Sequence, residues 1–395
     1  MTSLLAVNSG SSSIKFAAYT TEEPQQRWLH GKLERVGQAG TRLTFRDDRE
    51  AREGSIAAQA SDPAAAEEFL IGWLEEQVSF DTLAAVGHRV VHGMLHTEPA
   101  LVTAELLEEL RRISAYDPEH LPAELRLIES LHARHPELNQ IACFDTAFHA
   151  TMPRVARLLP IPRRFDAAGI QRYGFHGLSY SYLMEELARI AGVSAAHGRV
   201  ILAHLGNGAS LAAVRDGRSI DTSMGFTPAG GIPMGTRPGD LDPGVAWYLM
   251  SSGNLTPAQF NHLINHESGL LGVSETSSDM RDLLERQASD VRAAEAVELF
   301  CYQTRKWIGA LAAALGGLDT VVFAGGIGEN VAEIRARVCG PLQHLGIELS
   351  ESGNQGNSPL ISTSASRVAV RVIPTDEEKM IARHVRRYLE TEGVA

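Results

Sequence analysis

The stretch that decides the fold is residues 4–19, which read LLAVNSGSSSIKFAAY. Residues 4–7 are apolar, residues 8–13 are rich in Gly and Ser, and residues 14–19 are apolar again, a pattern that predicts a strand, a tight turn and a second strand. Small side chains, backbone donors and Lys15 at a strand end could form a cradle for a phosphate group. A flexible hairpin tip would explain the same residues, so this turn alone does not decide between the two.

A second segment of the same layout lies about half a chain later. Residues 200–203 are apolar, residues 204–210 read HLGNGAS, and residues 211–214 are apolar again. A third glycine-rich stretch, VVFAGGIGEN at 321–330, predicts a strand that runs through a glycine turn into a helix, whose amino terminus favours negative charge. The repeated layout suggests an internal duplication, and the two further turns favour a phosphate cradle over a flexible tip.

The rest of the chain alternates helices with strands. Apolar residues at three- and four-residue spacing predict helices at 63–76, 103–113, 122–134, 178–191, 258–264, 291–315 and 331–338. Apolar runs predict strands at 83–91 and 140–144 and a strand pair within 359–373, and a closing helix at 377–388 follows Pro374. This alternation predicts α/β layers around a mixed or parallel sheet.

The composition limits the class of protein. A length of 395 residues predicts two or three domains, and 44% hydrophobic with 21% charged residues is typical of a globular protein. Lys and Arg number 36 against 48 Asp and Glu, so the net charge of −12 argues against binding of nucleic acid or anionic lipid by the whole surface. We expect a soluble cytoplasmic protein for three reasons. The three cysteines are scattered, the N-terminus has no signal-peptide pattern, and the longest nearly apolar run covers only residues 307–318.

Two common nucleotide-binding motifs do not fit the sequence. Gly326 and Gly328 imitate the start of a dinucleotide fingerprint, but Val331 stands where the third glycine belongs. The chain contains no Gly-x-x-x-x-Gly-Lys-Ser/Thr sequence. A Rossmann site and a P-loop kinase are therefore both disfavoured.

Five segments in chain order resemble the acetate kinase family. They read VNSGSSSIKF at 7–16, RYGFHG at 172–177, HLGNGAS at 204–210, DTSMGFTP at 221–228 and GGIGEN at 325–330. The resemblance implies an α/β, duplicated actin-like (ribonuclease H-like) fold, shared with sugar kinases and heat-shock chaperone ATPases, with two related domains around an ATP cleft. It implies an N-terminal domain of residues 1–148 plus 377–395, closed by the C-terminal helix. Residues 149–376 would form a second domain that binds the nucleotide and makes a homodimer.

The resemblance also implies a reaction. It is reversible in-line transfer of a phosphoryl group from ATP to acetate, giving acetyl phosphate and ADP, with Mg²⁺ or in its place Mn²⁺. Propionate or butyrate kinase activity is the near alternative. An actin- or chaperone-like conformational ATPase is an alternative of a different class, because fold alone does not settle chemistry, and a sugar kinase would need a base for a neutral hydroxyl. The expected partners are ATP and a short-chain carboxylate, without nucleic acid or membrane.

Transfer between two anions needs positive charge at the site. Arg89 ends an apolar strand and Arg237 lies in a Gly/Pro loop, and on sequence alone both could equally be surface ion-pair formers. The resemblance makes both catalytic, with His176 as a transition-state donor, although a lone histidine is otherwise more often structural. It also makes Asp145 the catalytic aspartate. Because an acetate-like nucleophile is already ionised at pH 7, we expect Asp145 to orient Mg²⁺ or the substrate rather than to act as a base.

Further ligand contacts follow from the same resemblance. The metal ligands would be Asn8 and Glu377, although Glu377 could equally be an acidic first-turn residue of the closing helix. The substrate-binding residues would be Arg89, Val91, His120, Phe175 and Pro228. The nucleotide-binding residues would be Ser11, Ser13, Lys15, His204, Leu205, Gly206, Asn207, Gly208, Asp279, Met280, Arg281, Gly326, Ile327, Gly328, Glu329 and Asn330.

One position near the expected substrate departs from the family pattern. The family usually has an apolar pocket residue before the histidine, whereas this chain has Glu119 before His120. An anionic side chain that faces a carboxylate substrate would be unfavourable. We therefore expect either that Glu119 turns away or that the preferred acyl chain differs.

Overall fold

The computed structural model describes residues 2–10, 13–60 and 62–393. The strands in these residues are β1 Ser3–Ser9, β2 Ser13–Thr20, β3 Arg27–Glu34, β4 Arg42–Asp47, β5 Arg52–Ala57, β6 Leu83–Val90, β7 Ala100–Leu101, β8 Gln140–Phe144, β9 Arg199–Leu205, β10 Ala209–Arg215, β11 Arg218–Thr222, β12 Thr320–Ala324 and β13 Ala369–Val372. The α-helices are α1 Pro63–Gln77, α2 Ala104–Ile113, α3 Leu121–Arg134, α4 Arg154–Arg157, α5 Arg163–Ala167, α6 Gly177–Ala191, α7 Val193–Ala196, α8 Pro243–Ser251, α9 Pro257–His262, α10 Gly269–Ser274, α11 Met280–Arg286, α12 Val291–Leu315, α13 Gly325–Asn330, α14 Ala332–Cys339, α15 Glu351–Gln355 and α16 Glu377–Glu392.

The chain divides into two compact units. Unit 1 consists of Met1–Ala147 with Asp376–Ala395, and unit 2 of Phe148–Thr375. Unit 1 holds a sheet of order β5-β4-β3-β2-β1-β6-β8-β7, in which β1 runs antiparallel to β2 and parallel to β6. Unit 2 holds a sheet of order β11-β10-β9-β12-β13, in which β9 runs antiparallel to β10 and parallel to β12.

The two sheets repeat one topology. The order β3-β2-β1-β6-β8 in unit 1 matches β11-β10-β9-β12-β13 in unit 2, and the last pair is parallel in both. The predicted α/β class, the mixed sheet and the internal duplication are therefore confirmed. The two predicted strand–turn–strand segments are β1–β2 and β9–β10, so each is the central hairpin of its own sheet.

In unit 1, α1 packs on one face of the sheet and the last helix, α16, packs on the other. On one face of the sheet, the rings of Phe16 on β2 and Trp73 on α1 pack with centroids 5.5 Å apart. Phe16 pairs with Val7, and Val7 pairs with His88. Because side chains alternate along a strand, the neighbouring Gly87 in β6 faces the other side of the sheet. A Cβ there would lie 2.5 Å from Ile381 and from Val385, so glycine lets α16 approach this closely. In unit 2, the long helix α12 contacts β9, β10 and β11 and buries Phe300.

Two sequence predictions about elements were wrong. Residues 359–373 do not form a strand pair: only β13 joins the ladder, and Leu360 makes an isolated bridge to Arg371. The hydroxyl of Ser366 bonds the Val368 carbonyl, which holds the chain in a turn before β13. The glycines that follow β12 are not a turn but helix α13, whose first N–H, that of Gly325, donates to Glu329 Oε1 at 2.8 Å. Within the described residues, no helix combines the length and apolarity needed to cross a bilayer.

Candidate active site

The end of β1 meets the amino terminus of α16 in unit 1. Asn8 lies near this strand end and donates from Nδ2 to Glu377 Oε2 at 2.7 Å and to Glu378 Oε1 at 2.8 Å. Asp376 caps the helix by accepting a hydrogen bond from the Lys379 N–H at 2.9 Å. The amide of Asn8 thus orients two adjacent carboxylates. The predicted pair Asn8 and Glu377 lies together, and Glu378 is a third member that sequence reasoning missed.

Lys15 on β2 faces this carboxylate pair. Glu378 raises the pKa of Lys15 against the effect of burial, and burial raises the pKa of Glu378 against the effect of Lys15. Carboxylate and amide oxygens are the ligands that Mg²⁺ prefers, and the ion usually keeps several waters. The described residues hold no group of three or more His, Cys, Asp or Glu arranged for a metal. The Asn8 amide and the carboxylates of Glu377 and Glu378 are donors of the kind that Mg²⁺ takes, so this set fits that ion.

Arg89 lies near the end of β6 and is held by a dense set of acceptors. Its side chain is 12% exposed. Nε and Nη2 donate to Asp145 Oδ2 at 3.1 and 2.7 Å, and Nη1 donates to the Ser9 carbonyl at 3.0 Å and to Glu124 Oε1 at 3.3 Å. Burial lowers the pKa of Arg89, but Asp145 and Glu124 more than offset this, so the guanidinium stays charged. The surface ion-pair interpretation of Arg89 does not fit this buried, multiply held guanidinium.

Glu124 is a site residue that the sequence prediction missed. Its side chain is 2% exposed, and its Oε2 accepts the Val91 N–H at 2.8 Å. Burial raises the pKa of Glu124 to about 8, although Arg89 and the Val91 N–H oppose the rise. A signal was present in the sequence, because Glu124 shares the buried face of α3 with Leu121 and Leu125. An acidic residue on an apolar face needs a partner, and here that partner is Arg89.

His120 and Glu119 stand just before α3. His120 Nδ1 lies 2.9 Å from Asp117 Oδ1, and Asp117 is buried. Burial raises the pKa of Asp117, but the hydrogen bond and the charge of His120 lower it by more, so the pKa of Asp117 lies below its usual value. Glu119 is only partly exposed. The Val91 side chain, also expected to line the substrate pocket, is buried in unit 1.

The predicted catalytic histidine of unit 2 has an unusual backbone. His176 directly precedes α6 with φ of 60°, in the left-handed region that residues other than glycine rarely adopt. Two residues earlier Gly174 has φ of 76°, and a Cβ there would lie 2.7 Å from His149 and from Thr222. Phe175, between them, is buried. Strained backbone of this kind is concentrated at functional sites.

Two histidines of unit 2 stack face to face. The rings of His176 and His204 have centroids 4.3 Å apart and an interplanar angle of 24°. His176 Nδ1 lies 2.9 Å from Ser210 Oγ, and His204 Nδ1 lies 2.8 Å from Ser179 Oγ. Both serines are fully buried. Neither serine was singled out as a site residue from the sequence.

The glycine turn between β9 and β10 lies against these rings. A Cβ on Gly208 would lie 3.0 Å from Arg237 Nη2 and 3.3 Å from His176 Nε2, and a Cβ on Gly206 would lie 3.9 Å from His204 Nε2 and 3.8 Å from the Gly326 backbone nitrogen. Arg237 is half-buried, and its Nη1 donates to the Pro228 carbonyl at 2.8 Å. The structure therefore brings together residues that are far apart in the sequence around one turn.

The other predicted nucleotide residues lie on three elements. Leu205 and Asn207 belong to β9 and the turn after it, Ile327, Gly328, Glu329 and Asn330 belong to α13, and Asp279, Met280 and Arg281 start α11. The Asp279 carboxylate accepts the Arg281 N–H at 2.8 Å and pairs with its guanidinium at 2.7 Å. The Arg281 hydrogen bond lowers the pKa of Asp279. Ser13 begins β2, and Ser11 lies outside the described residues.

Two sheets of one topology, a glycine turn beside Arg237 and two imidazoles, and carboxylates beside Lys15 form an arrangement typical of a phosphotransferase. The model of the acetokinase family matches residues 3–383. An acetate kinase of Rhodopseudomonas palustris is 46% identical over 388 residues, with 97% of each chain covered, and a propionate kinase of Citrobacter rodentium is 42% identical over 393 residues, with 97% of this chain and 96% of that one covered. The crystal structure of a propionate kinase from Francisella tularensis has a TM-score of 0.90 at 35% identity and covers 97% of this chain and 99% of that chain.

The chain belongs to the acetokinase family. It is a phosphotransferase that uses ATP and has a carboxyl group as acceptor.

Proposed function

We propose that this protein transfers the γ-phosphoryl group of ATP to acetate, reversibly and in line, giving acetyl phosphate and ADP. The incoming oxygen belongs to a carboxylate that is already ionised at neutral pH, so no base has to remove a proton. The bond that forms joins a carboxylate oxygen to phosphorus, and the bond that breaks joins phosphorus to the oxygen retained by ADP. Catalysis is therefore positioning together with stabilisation of negative charge.

Unit 1 supplies the fixed charges. Arg89 binds the acetate carboxylate and balances charge on the transferring group, and Asp145 holds Arg89 in place through its 2.7 and 3.1 Å contacts. Asn8 and Glu377 hold the Mg²⁺ site together with Glu378, with Asn8 orienting the two carboxylates. A bound Mg²⁺ would neutralise charge on the phosphates of ATP. Lys15 contributes a further cation to the same phosphates.

Unit 2 supplies the observation that carries the proposal. Arg237 Nη2 and His176 Nε2 converge to within 3.0 and 3.3 Å of the point where a Cβ on Gly208 would stand. Glycine keeps this point open to a phosphoryl oxygen, which a side chain would block. A guanidinium and an imidazole donor around one small volume form an arrangement that stabilises developing negative charge.

Propionate is the second candidate acceptor. The relatives reported above include both acetate and propionate kinases, and Glu119 stands beside His120 where the family usually has an apolar residue. Purified protein with limiting and equal concentrations of acetate, propionate and butyrate would rank the acceptors by the acyl hydroxamates formed. We expect acetyl hydroxamate to dominate, and a dominant propionyl product would transfer the assignment to propionate.

We further propose that the protein is a homodimer that pairs through α8. No residue of this helix is buried, and its Trp247 and Tyr248 side chains are 73% and 64% exposed. An apolar helix with no buried residue on its own chain fits burial against a second copy. Analytical ultracentrifugation should show a dimer, and Trp247→Glu should shift it towards monomer. A monomeric wild-type protein would contradict the pairing.

The reaction is tested by trapping with hydroxylamine. Protein, ATP, Mg²⁺ and acetate should give acetyl hydroxamate and ADP in equal amounts, and neither product should form without acetate. ADP release that is independent of any carboxylate would support a conformational ATPase. Phosphorylation of a polyol instead of an acid would support a sugar kinase.

A further inference from the structure

Each of the two stacked histidines is backed by two hydroxyl groups in series. Ser210 Oγ contacts His176 Nδ1 at 2.9 Å on one side and the Tyr180 hydroxyl on the other. Ser179 Oγ contacts His204 Nδ1 at 2.8 Å on one side and the Thr375 hydroxyl at 2.8 Å on the other. All of these groups belong to unit 2. The same hydroxyl–serine–imidazole chain therefore occurs twice.

Donor strength favours one direction for the bonds of the first chain. A phenol is a better donor than an aliphatic hydroxyl, so Tyr180 donates to Ser210, and the single Ser210 proton is left for His176 Nδ1. In the second chain Thr375 and Ser179 are both aliphatic hydroxyls and either can donate; we assign the donor role to Thr375, which leaves the Ser179 proton for His204 Nδ1. An imidazole that accepts at Nδ1 and is neutral carries its proton on Nε2.

A third pair in the same unit shows this direction independently. His149 Nδ1 lies 2.9 Å from Ser219 Oγ, and His149 Nε2 lies 3.0 Å from the Phe175 carbonyl oxygen. A carbonyl only accepts, so His149 Nε2 must donate, and a neutral ring must then accept from Ser219. Here the Phe175 carbonyl would hold the Nε2 proton even without the serine.

The stacking of the two rings disfavours a state in which both are charged. Two imidazolium rings with centroids 4.3 Å apart would repel each other. The ring nitrogens opposite the serines face the glycine turn: His176 Nε2 is 3.3 Å from a Cβ placed on Gly208, and His204 Nε2 is 3.9 Å from one placed on Gly206. Two Nε2–H donors then point to one short stretch of backbone.

We propose that Ser179 and Ser210 are positioning residues that hold His204 and His176 as neutral, Nε2-protonated rings, so that both present an N–H to the phosphoryl groups bound at the Gly206–Gly208 turn. The inference rests on the proposed function for the identity of the bound group. The serines touch neither nucleotide nor acceptor in this account, and they act only through the imidazoles.

The proton positions are measured directly by ¹⁵N NMR of full-length protein labelled at histidine, without substrate. The signals are assigned by comparison with H176Q and H204Q. Both rings should carry the proton on Nε2, S210A should give a mixture of the two neutral forms at His176, and S179A should do the same at His204. A proton on Nδ1 of either ring in the wild-type protein would overturn the proposal for that ring. This readout holds even if no acyl phosphate is ever formed, in which case only the proposed function fails.

Kinetics separate positioning from plain packing. S210A should lower kcat by about 10-fold to 100-fold, as loss of a group that orients a functional histidine does, while KM for acetate changes little. S219A is the matched control, since it removes an equally buried hydroxyl from His149, whose Nε2 proton the Phe175 carbonyl still holds. The two variants should have similar unfolding midpoints, and S219A should keep kcat near the wild-type value. Equal losses of kcat in S210A and S219A would show a structural role only.

Discussion

The strand–turn–strand segments β1–β2 and β9–β10 have the same position in their sheets and opposite chemistry. The first ends beside fixed charges, with Lys15 and the carboxylates of Glu377 and Glu378 at the start of α16. The second ends in glycine backbone, with neutral hydroxyls behind the stacked rings of His176 and His204. The repeated sheet thus determines where a site lies but not what chemistry it has.

This difference predicts different costs of mutation in the two units. In unit 1 the charges neutralise one another, so removal of one leaves a partner buried without its counter-charge. In unit 2 the converging groups are neutral or half-exposed, so a substitution removes a function with little effect on folding. The predictions below test this contrast, from the largest expected effect to the smallest.

Arg89→Ala should have the largest effect, on activity and stability together. It removes the cation from between Asp145 and Glu124, which are both buried. We expect kcat/KM for acetate to fall by about 10³-fold and the free energy of unfolding by about 3–5 kcal/mol, measured by initial rates and urea unfolding. Arg111→Ala is the control, because Arg111 pairs with Glu129 at the exposed surface. An Arg89→Ala protein with wild-type activity would remove this residue from the site.

Arg237→Ala should lower activity without a comparable loss of stability. Arg237 is half-buried and donates to a backbone carbonyl, that of Pro228, so no buried carboxylate loses its counter-charge. We expect kcat to fall by about 10²-fold and the urea midpoint to stay close to that of the wild-type protein. A loss of stability as large as that of Arg89→Ala would break the contrast between the two units.

Glu377→Gln should raise the Mg²⁺ concentration that the enzyme needs for activity. The amide is a weaker ligand for Mg²⁺ than the carboxylate, and Asn8 loses an ionic acceptor. We expect the Mg²⁺ concentration for half-maximal activity to rise by about 10-fold, measured by titration at saturating ATP and acetate. Glu390→Gln on the same helix is the control, since Glu390 pairs with Arg386 at the surface. An unchanged titration would place the metal elsewhere.

Glu124→Gln should change how stability depends on pH. Burial raises the pKa of Glu124 to about 8, whereas an unfolded glutamate has a pKa of about 4.3. Between these values the folded protein keeps a proton that the unfolded protein has released, so this group makes folding less favourable as pH rises through that window. Glutamine has no such proton, and Arg89, Asp117 and Asp145, which face this position, are present in both proteins.

The measurement is urea unfolding of both proteins from pH 5 to pH 8. The stability of Glu124→Gln relative to the wild-type protein should increase steadily over this range. Glu129→Gln is a matched control on the exposed side of the same helix, and its stability relative to wild type should vary much less. Parallel pH curves for Glu124→Gln and the wild-type protein would contradict the proposed burial of a protonated carboxyl.

Local patterns in the sequence predict much of the fold. The apolar runs around residues 8–13 and 204–210 determine both central hairpins, and the spacing of leucines predicts α3 within one residue at its start. The prediction of a strand pair within 359–373 was wrong, because an alternating pattern cannot show whether a neighbouring strand is available for pairing. Only β13 has such a neighbour, since it pairs with β12.

The site could be predicted only as far as single motifs reach. Arg89, His176 and Arg237 stand in recognisable segments, and in the structure His176 and Arg237 approach the same glycine, Gly208. Glu124 and Ser210 escaped because their importance depends on contacts across 35 and 34 residues of chain. The apolar face of α3 indicates that Glu124 is buried, but the partner at such a separation follows from the tertiary fold and has no local pattern.

The central claim is that a carboxylate oxygen receives the phosphoryl group, and ³¹P NMR with ¹⁸O-labelled acetate tests it most directly. Full-length protein with ATP and Mg²⁺ should produce ADP and acetyl phosphate whose phosphorus signal carries the isotope shift of one bridging ¹⁸O. Inorganic phosphate without ¹⁸O as the only phosphorus product besides ADP would contradict the account, because ATP would then be hydrolysed by water.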